Sequence, residues 1–519
     1  MPHSESQIIS TNTFFKLKVV IVLIQIILVY SCSKNSVQHS VQHPVPATEV
    51  TLYVNASTGN DTNDGKTLLS AFKTIQKAAS SAGAGCLVLI SGGTYREQII
   101  IASSGTILNP IIFSSTNSEP VLIDGSGFST GTMISITDKS NLLFKGLTIK
   151  NLTGKDVQGI LVNASPNGGV ANITFRHMTI QAIGWSSSTT TLPTSADNAQ
   201  PFIVYGHGLT QANAVVNITL DSSVISNNIP GFSEAISFDG NIDGFTVSNN
   251  TVSNNTNIGI AAIGNYGTST GAIFDQARNG LVTGNTCFNN ISLYATSAGI
   301  YVDGGRNIKI SQNRTYSNGT GIEVGNEQNG NASNMLVSGN LIYLNQVSGL
   351  AIGGYDTRTT GQILNSIFVN NTLFQNNTLL DGTGEMVITK ASGCQIENNI
   401  FYTNSQNLLF SLNPILPQSG NIINYNCWYT SSQNSTNIQV NYLSSSYTTF
   451  GNYQLATSQD KQSLFAEPLF VNSLNTNFHL QALSKCLNAG NTAIIKDLNI
   501  TNFDGIPLLS GSNVNIGAY

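Results

Sequence analysis

Residues 299–325, GIYVDGGRNIKISQNRTYSNGTGIEVG, contain one full structural period and then begin the next. Gly-Ile-Tyr-Val at Gly299 is answered by Gly-Ile-Glu-Val at Gly321, with two turns and a second apolar strand between them. Strand parity sets Ile300 and Val302 on one face and Tyr301 and Asp303 on the other. Within the period, Ile310 is followed at fixed spacing by Asn313 and Asn318. That apolar-x-x-Asn-x-x-x-x-Asn pattern recurs at Val247, Val282, Val337, Phe368 and Ile396, with starts 27 to 35 residues apart. Strands of the first kind accompany it: AISFDG from Ala235, GIAAIG from Gly259, GLAIGG from Gly349 and EMVIT from Glu385. A repeat of this length means stacked supersecondary units. Two or three strands of four to five residues per coil would pair in parallel with the next coil about 4.8 Å away. Asn at equivalent turns can then bond its counterparts above and below, satisfying backbone that a turn leaves open. A propeller needs longer antiparallel blades and a leucine-rich repeat needs Leu at fixed spacing, so neither fits. The expected fold is all-β, a single-stranded right-handed parallel β-helix.

Composition agrees. Charged residues make up 9% of the chain, against about 25% in ordinary soluble domains. The polar content is instead rich in Asn, Ser, Thr and Gly, the residues of tight turns. A net charge of −5 gives no basic footprint, so no nucleic-acid partner is expected.

The N-terminus sets the compartment. Lys16 and Lys18 precede an apolar run, Val19 to Val29. It is too short for a span, which takes about 20 residues, and it fits the core of a secretion signal. The run ends Val29-Tyr30-Ser31-Cys32, which resembles the lipobox of bacterial lipoproteins. That resemblance implies a signal peptide over 1–31, lipidation at Cys32 and a membrane contact through the lipid. Residues 32–49 then form a flexible tether. The expected location is the cell envelope, as an outer-membrane lipoprotein, or the exterior. Cys86, Cys287, Cys394, Cys427 and Cys486 are odd in number and lack CxxC spacing, which argues against a disulfide framework or zinc site. They are expected to be mostly buried as small apolar residues.

From Val50 the chain reads TLYVNASTGNDTNDGKT, then AFKTIQKAASSAGAGCLVLISGGTY. This resembles the N-terminal cap of the pectate-lyase-like β-helix superfamily, whose TIQ-x-A helix leads into a GGTY strand. Thr74 to Ser81 would form a short helix closing one end, within a cap spanning about 50–100. The tail from AEPLFVNS to NIGAY resembles the end of the same secreted proteins, giving a C-terminal cap at about 440–519 and one domain over 50–519. The superfamily mostly acts on polysaccharides, so a polysaccharide substrate is implied.

Aligning the strands gives outward columns. One holds Ser237, Ala261, Tyr301, Glu323, Ala351 and Val387; the next holds Asp239, Ile263, Asp303, Gly325, Gly353 and Thr389. Asp303, Glu323 and Asp239 are the candidate catalytic acids, with small neighbours expected to leave space for a ligand. Asp303 and Glu323, on adjacent coils and two residues apart in register, should have Cβ atoms about 8 Å apart. Side-chain rotation brings such a pair within the roughly 5–9.5 Å used by glycosidases. Tyr301, Arg306, Glu327 and Tyr355 are candidate substrate contacts, and His207 and His177 weaker ones.

No cofactor is required for hydrolysis. In a lyase, the three acids would instead hold Ca²⁺. For that reading GEMVITKAS, with Glu385 and Lys390, faintly resembles the catalytic motif of chondroitinase B and alginate lyases, although Thr383 stands where a Glu is needed. A third possibility is a non-catalytic glycan-binding or adhesive solenoid using the same face.

Overall fold

Short β-rich stretches separated by turn residues wind into coils, and a typical coil supplies one strand to each of three long sheets. The computed structural model describes residues 50–116, 119–354, 361–412, 418–509 and 513–519. The expected signal peptide, Cys32 and the tether lie outside these residues. Each main sheet has 13 strands, and parallel pairing runs from Val50–Val54 on Cys86–Ile90 to Gln395–Glu397 on Ile422–Asn424. Among the described strands, antiparallel pairing is confined to two terminal hairpins, Gln439–Tyr442 with Ser445–Tyr447 and Phe470–Asn472 with Asn477–Leu480. The architecture is the expected right-handed parallel β-helix.

The helix Ile75–Ser81 closes the first coil. Thr74 Oγ1 accepts the Lys77 N–H at 3.1 Å, while Ile75, Ala78 and Ala79 enter the core. The Glu97 carboxylate accepts the free Ile75 and Gln76 N–H groups at 2.9 and 2.8 Å, as an acid should at a helix N-terminus.

Two asparagine ladders explain the repeat. One runs Asn250, Asn285, Asn313, Asn340, Asn371, Asn399 and Asn426; the other runs Asn228, Asn255, Asn290, Asn318, Asn345 and Asn376. At a typical rung such as Asn313, the backbone N–H and one Nδ2 hydrogen go to Oδ1 of Asn340 at 2.9 and 3.0 Å. The other Nδ2 hydrogen goes to the Val282 carbonyl, on the strand of the preceding coil that pairs with Lys309–Ser311, at 2.9 Å. Every polar atom of the buried amide therefore has a partner. The residue just before a rung is commonly left-handed, as at Asn249, Asn254, Asn289, Asn370 and Asn398. Asn tolerates that conformation better than other non-glycine residues, which is a second reason for its abundance.

The second ladder ends differently from the sequence pattern. Asn404 caps the Asn376 and Asn377 carbonyls instead of forming a rung. Glu385 takes its place, accepting from Asn376 N and Nδ2 at 2.9 and 2.7 Å. Burial pushes its carboxyl up to about 8. Glu385 is thus a ladder terminus, and the motif that nominated it with Lys390 as lyase machinery is not assembled around it.

In-register stacking also sets like on like inside. Phe113, Phe144 and Phe175 pair across successive coils, with ring centroids 5.0 and 5.1 Å apart.

At the other end, the helix Phe450–Thr457 buries Phe450 and Tyr453 against the last coil. Asp460 anchors it by accepting from Tyr453 Oη at 2.9 Å and Trp428 Nε1 at 3.0 Å. The rest of the expected cap does not sit on this end. It folds back along the outside of one sheet, where Phe470, Phe478, Phe503, Ala518 and Tyr519 cover an outward aromatic column of Tyr316, Tyr343, Phe374 and Tyr402. Rings standing at matching positions on several coils form an apolar stripe that needs this cover.

Candidate active site

The strands Ala199–Gly206, Ile236–Gly240, Ile260–Ile263, Ala298–Asp303, Thr320–Gly325 and Ser348–Gly353 lie side by side in one sheet. Their register aligns Ser237, Ala261, Tyr301, Glu323, Ala351 and Val387 in one outward column. Tyr205 pairs with Asp239, Asp239 with Ile263, and Asp303 with Gly325 two residues further along. Asp303 and Glu323 thus occupy adjacent coils, with Asp239 two coils before Asp303.

This face is roofed. The loop 264–276 crosses it, braced by the buried Asp275 carboxylate, which accepts Gly267 N–H at 2.6 Å and Ser269 N–H at 2.8 Å. From the loop, Tyr266 Oη donates to Asp303 Oδ2 at 2.6 Å and Thr268 Oγ1 donates to Asp239 Oδ1 at 2.9 Å. Glu327 N–H donates to Asp303 Oδ1 at 2.7 Å. Its exposed carboxylate accepts from Tyr301 at 3.2 Å and Tyr266 at 3.3 Å. The residues brought together are therefore Asp303, Glu323, Asp239, Tyr301 and Glu327.

Burial with like charges nearby raises the carboxyls of Asp303, Glu323 and Asp239. Asp303, 4% exposed, is pushed up to about 7 by desolvation and then by Glu327, with its two hydrogen-bond donors pulling the other way. Glu323 is pushed up to about 8 by burial, Glu327 and Asp303. Asp239 rises to about 6, mainly by burial, against the Thr268 hydrogen bond. The same environment raises the Tyr266, Tyr301 and Tyr205 hydroxyls.

Several expectations need correcting. Tyr301 is 6% exposed and its ring lies over Gly325, where any Cβ would stand 2.9 Å from the ring. It positions Glu327 and does not line a groove. The small residues do not leave a vacant slot either: Ala261 is fully buried, and a Cβ at Gly353 would meet Thr389. Arg306 turns the corner onto the next sheet, in register with Arg278, and among the described residues it makes no hydrogen bond or ion pair with the acids. Tyr355 lies outside the described residues. His177 is exposed in a left-handed turn, whereas His207 joins the cluster, its Nδ1 2.9 Å from the Thr268 carbonyl and its ring 5.4 Å from Tyr205.

Glu234 escaped the sequence reading because it precedes its strand and so falls outside the column alignment. It accepts from Ser237 Oγ at 2.6 Å and is pushed up to about 7, by burial first and then by Asp239 and Asp303. Beside it stands a shelf of two rings, exposed Phe232 and Tyr294, 5.1 Å apart. Two surface cavities, of about 410 and 460 Å³, lie elsewhere, lined by residues such as Leu52 and Lys77, and Tyr429 and Lys485.

The acids do not fit a calcium cage. Both Asp303 oxygens already accept hydrogen bonds, and among the described residues no three acidic, His or Cys side chains converge at ligating distance.

Residues 262–455 match a family model described as "Periplasmic copper-binding protein (NosD)". The chain is 32% identical over 441 residues to "Uncharacterized protein YwoF" of Bacillus subtilis (strain 168), covering 83% of this chain and 90% of that one. Pectate lyase Pel9A superposes with a TM-score of 0.50 at 16% identity, over 92% of this chain and 97% of its own. A lacto-N-biosidase from Eubacterium ramulus gives 0.45 at 14% identity, over 80% of this chain and 67% of its own. The chain therefore belongs to the YwoF family, and it shares the right-handed parallel β-helix fold of pectate lyase Pel9A.

Proposed function

We propose that this protein is an exported, lipid-anchored glycoside hydrolase that cleaves a polysaccharide along the acidic face. The observation that carries the reading is the pair Asp303 and Glu323, on adjacent coils and two residues apart along the strand, of which Asp303 is held by two donors that favour its anion. Glu323, pushed up to about 8, holds its proton at neutral pH and serves as general acid to the leaving oxygen. Asp303, held by Tyr266 and the Glu327 N–H, ionises first and acts as base on water or as nucleophile. Glu234, Asp239 and His207 are partly exposed and extend the site over the preceding coils. Several carboxyls with no cation among their hydrogen-bond partners favour a neutral glycan over a uronate. The lyase reading has less support, since the acids form no cage and neither Arg306 nor the Glu385 motif meets them.

The copper named for the matched family finds few ligands here. Residues 262–455 contain no His, and their Cys287, Cys394, Cys427, Met335 and Met386 are buried.

The test is incubation of the full chain with neutral and uronate polysaccharides, with Ca²⁺ or EDTA. New reducing ends without ultraviolet absorbance support hydrolysis. Absorbance lost in EDTA would replace it with a calcium lyase, and binding without products with a glycan-binding solenoid. Membrane partition that is lost in Cys32→Ser tests the anchor.

The pH profile follows from the pair. Activity needs Asp303 ionised and Glu323 protonated, so kcat/KM should be bell-shaped, with limbs near the about 7 and about 8 of the two groups. Activity that keeps rising as the pH falls to 5, or that shows no alkaline limb, would reject these roles.

A further inference from the structure

The odd number of cysteines conceals one matched pair. Cys86, Cys287 and Cys394 sit within the main core. Cys427 and Cys486 instead share a separate cluster outside it, with Ile400 and Ile516, and both are 0% exposed. Cys427 opens the strand Cys427–Thr430, stacked between Ile400–Thr403 and Leu464–Phe465. Cys486 lies on the segment that folds back along the solenoid, its carbonyl accepting Ile516 N–H at 2.9 Å. The two side chains thus pack into one small apolar cluster, where Cys427 Sγ donates to the Ala466 carbonyl at 3.2 Å. Both are free here.

We infer that Cys427 and Cys486 are a disulfide site that staples the C-terminal foldback to the outermost coils, closed during folding by exchange with a low-molecular-weight disulfide. One cysteine thiolate attacks the small disulfide and expels one thiol, leaving a mixed disulfide. The second cysteine thiolate attacks that bond, forms Cys427–Cys486 and expels the second thiol. Two electrons and two protons pass from the cysteines to the oxidant. Because both sulfurs are fully buried in the finished fold, exchange belongs to the folding stage, before the foldback docks. The bond would close a loop of about 60 residues that includes the helix Phe450–Thr457, restricting the unfolded chain. An oxidising setting follows from the export proposed above, but the pairing itself is read independently of it and of any glycan.

The experiment refolds the reduced full chain with oxidised glutathione and maps peptides after trypsin and chymotrypsin. Expected are a linked pair carrying Cys427 and Cys486, loss of two titratable thiols, and a Tm several degrees above the dithiothreitol-treated protein. The Cys427→Ala variant should show no difference in Tm between the two treatments. Linked peptides joining other cysteines, or retention of both thiols with unchanged Tm in the unmutated chain, would overturn the inference.

Discussion

Glu323→Gln and Asp303→Asn are each expected to lower kcat/KM on the cleaved glycan by about 100- to 10,000-fold, the range removed with a positioned acid or base. That is about 3–5 kcal/mol of transition-state stabilisation. The same variants should raise stability at alkaline pH. Both carboxyls have folded pKa values above those of the unfolded chain, so the native state binds more protons than the unfolded state. Stability is then present in full below about pH 4 and is lost as pH rises through about 7 and about 8. A neutral amide removes that loss. Activity assays and thermal melts at pH 9 together give opposite signs for a catalytic pair: activity falls while Tm rises. If both fall, the two residues are structural. If neither moves, the site lies elsewhere.

The second large effect concerns the ladders. Asn313→Ala is expected to destabilise the solenoid by about 3 kcal/mol, because it strands two groups of Asn285 that had donated to Asn313 Oδ1 and leaves the Val282 carbonyl without its side-chain donor. Neither the turn nor the tightly stacked coils offer a polar replacement. Urea denaturation followed by circular dichroism reads the change. A loss below about 0.5 kcal/mol would mean that water enters the turn and the ladder is dispensable. Asn404→Ala makes the comparison, since Asn404 caps the Asn376 and Asn377 carbonyls, accepts the Gln406 N–H within its own turn and is not a rung. Its effect should be clearly smaller.

Much of this was legible because a stacked coil repeats its own rules. The spacing from Ile310 to Asn313 and Asn318 predicted two of the turns of each coil, and strand parity predicted the column in which Tyr301 meets Glu323. The reading failed where a residue left the repeat. Asn404 kept the spacing but lost its rung to Glu385, whose carboxylate reaches the same Asn376 donors from a different loop. Glu234 lay one step outside the alignment, and no spacing rule pointed to it.

The sequence by itself determined the coils, their register, the asparagine ladders and the face on which the acids gather. Each follows from a short-range pattern, apolar alternation and turn residues, repeated until parallel stacking was the only way to bury the apolar face. Only the tertiary structure decided what covers that face. Tyr266 and Thr268 reach Asp303 and Asp239 because the loop 264–276 lands there, and Tyr301 fills the space that Gly325 leaves. The foldback reaches Tyr343 across more than a hundred residues of chain, and Cys486 meets Cys427 on the same path. Such contacts, and the burial that raises the acids, depend on where irregular segments pack, and no local period encodes that.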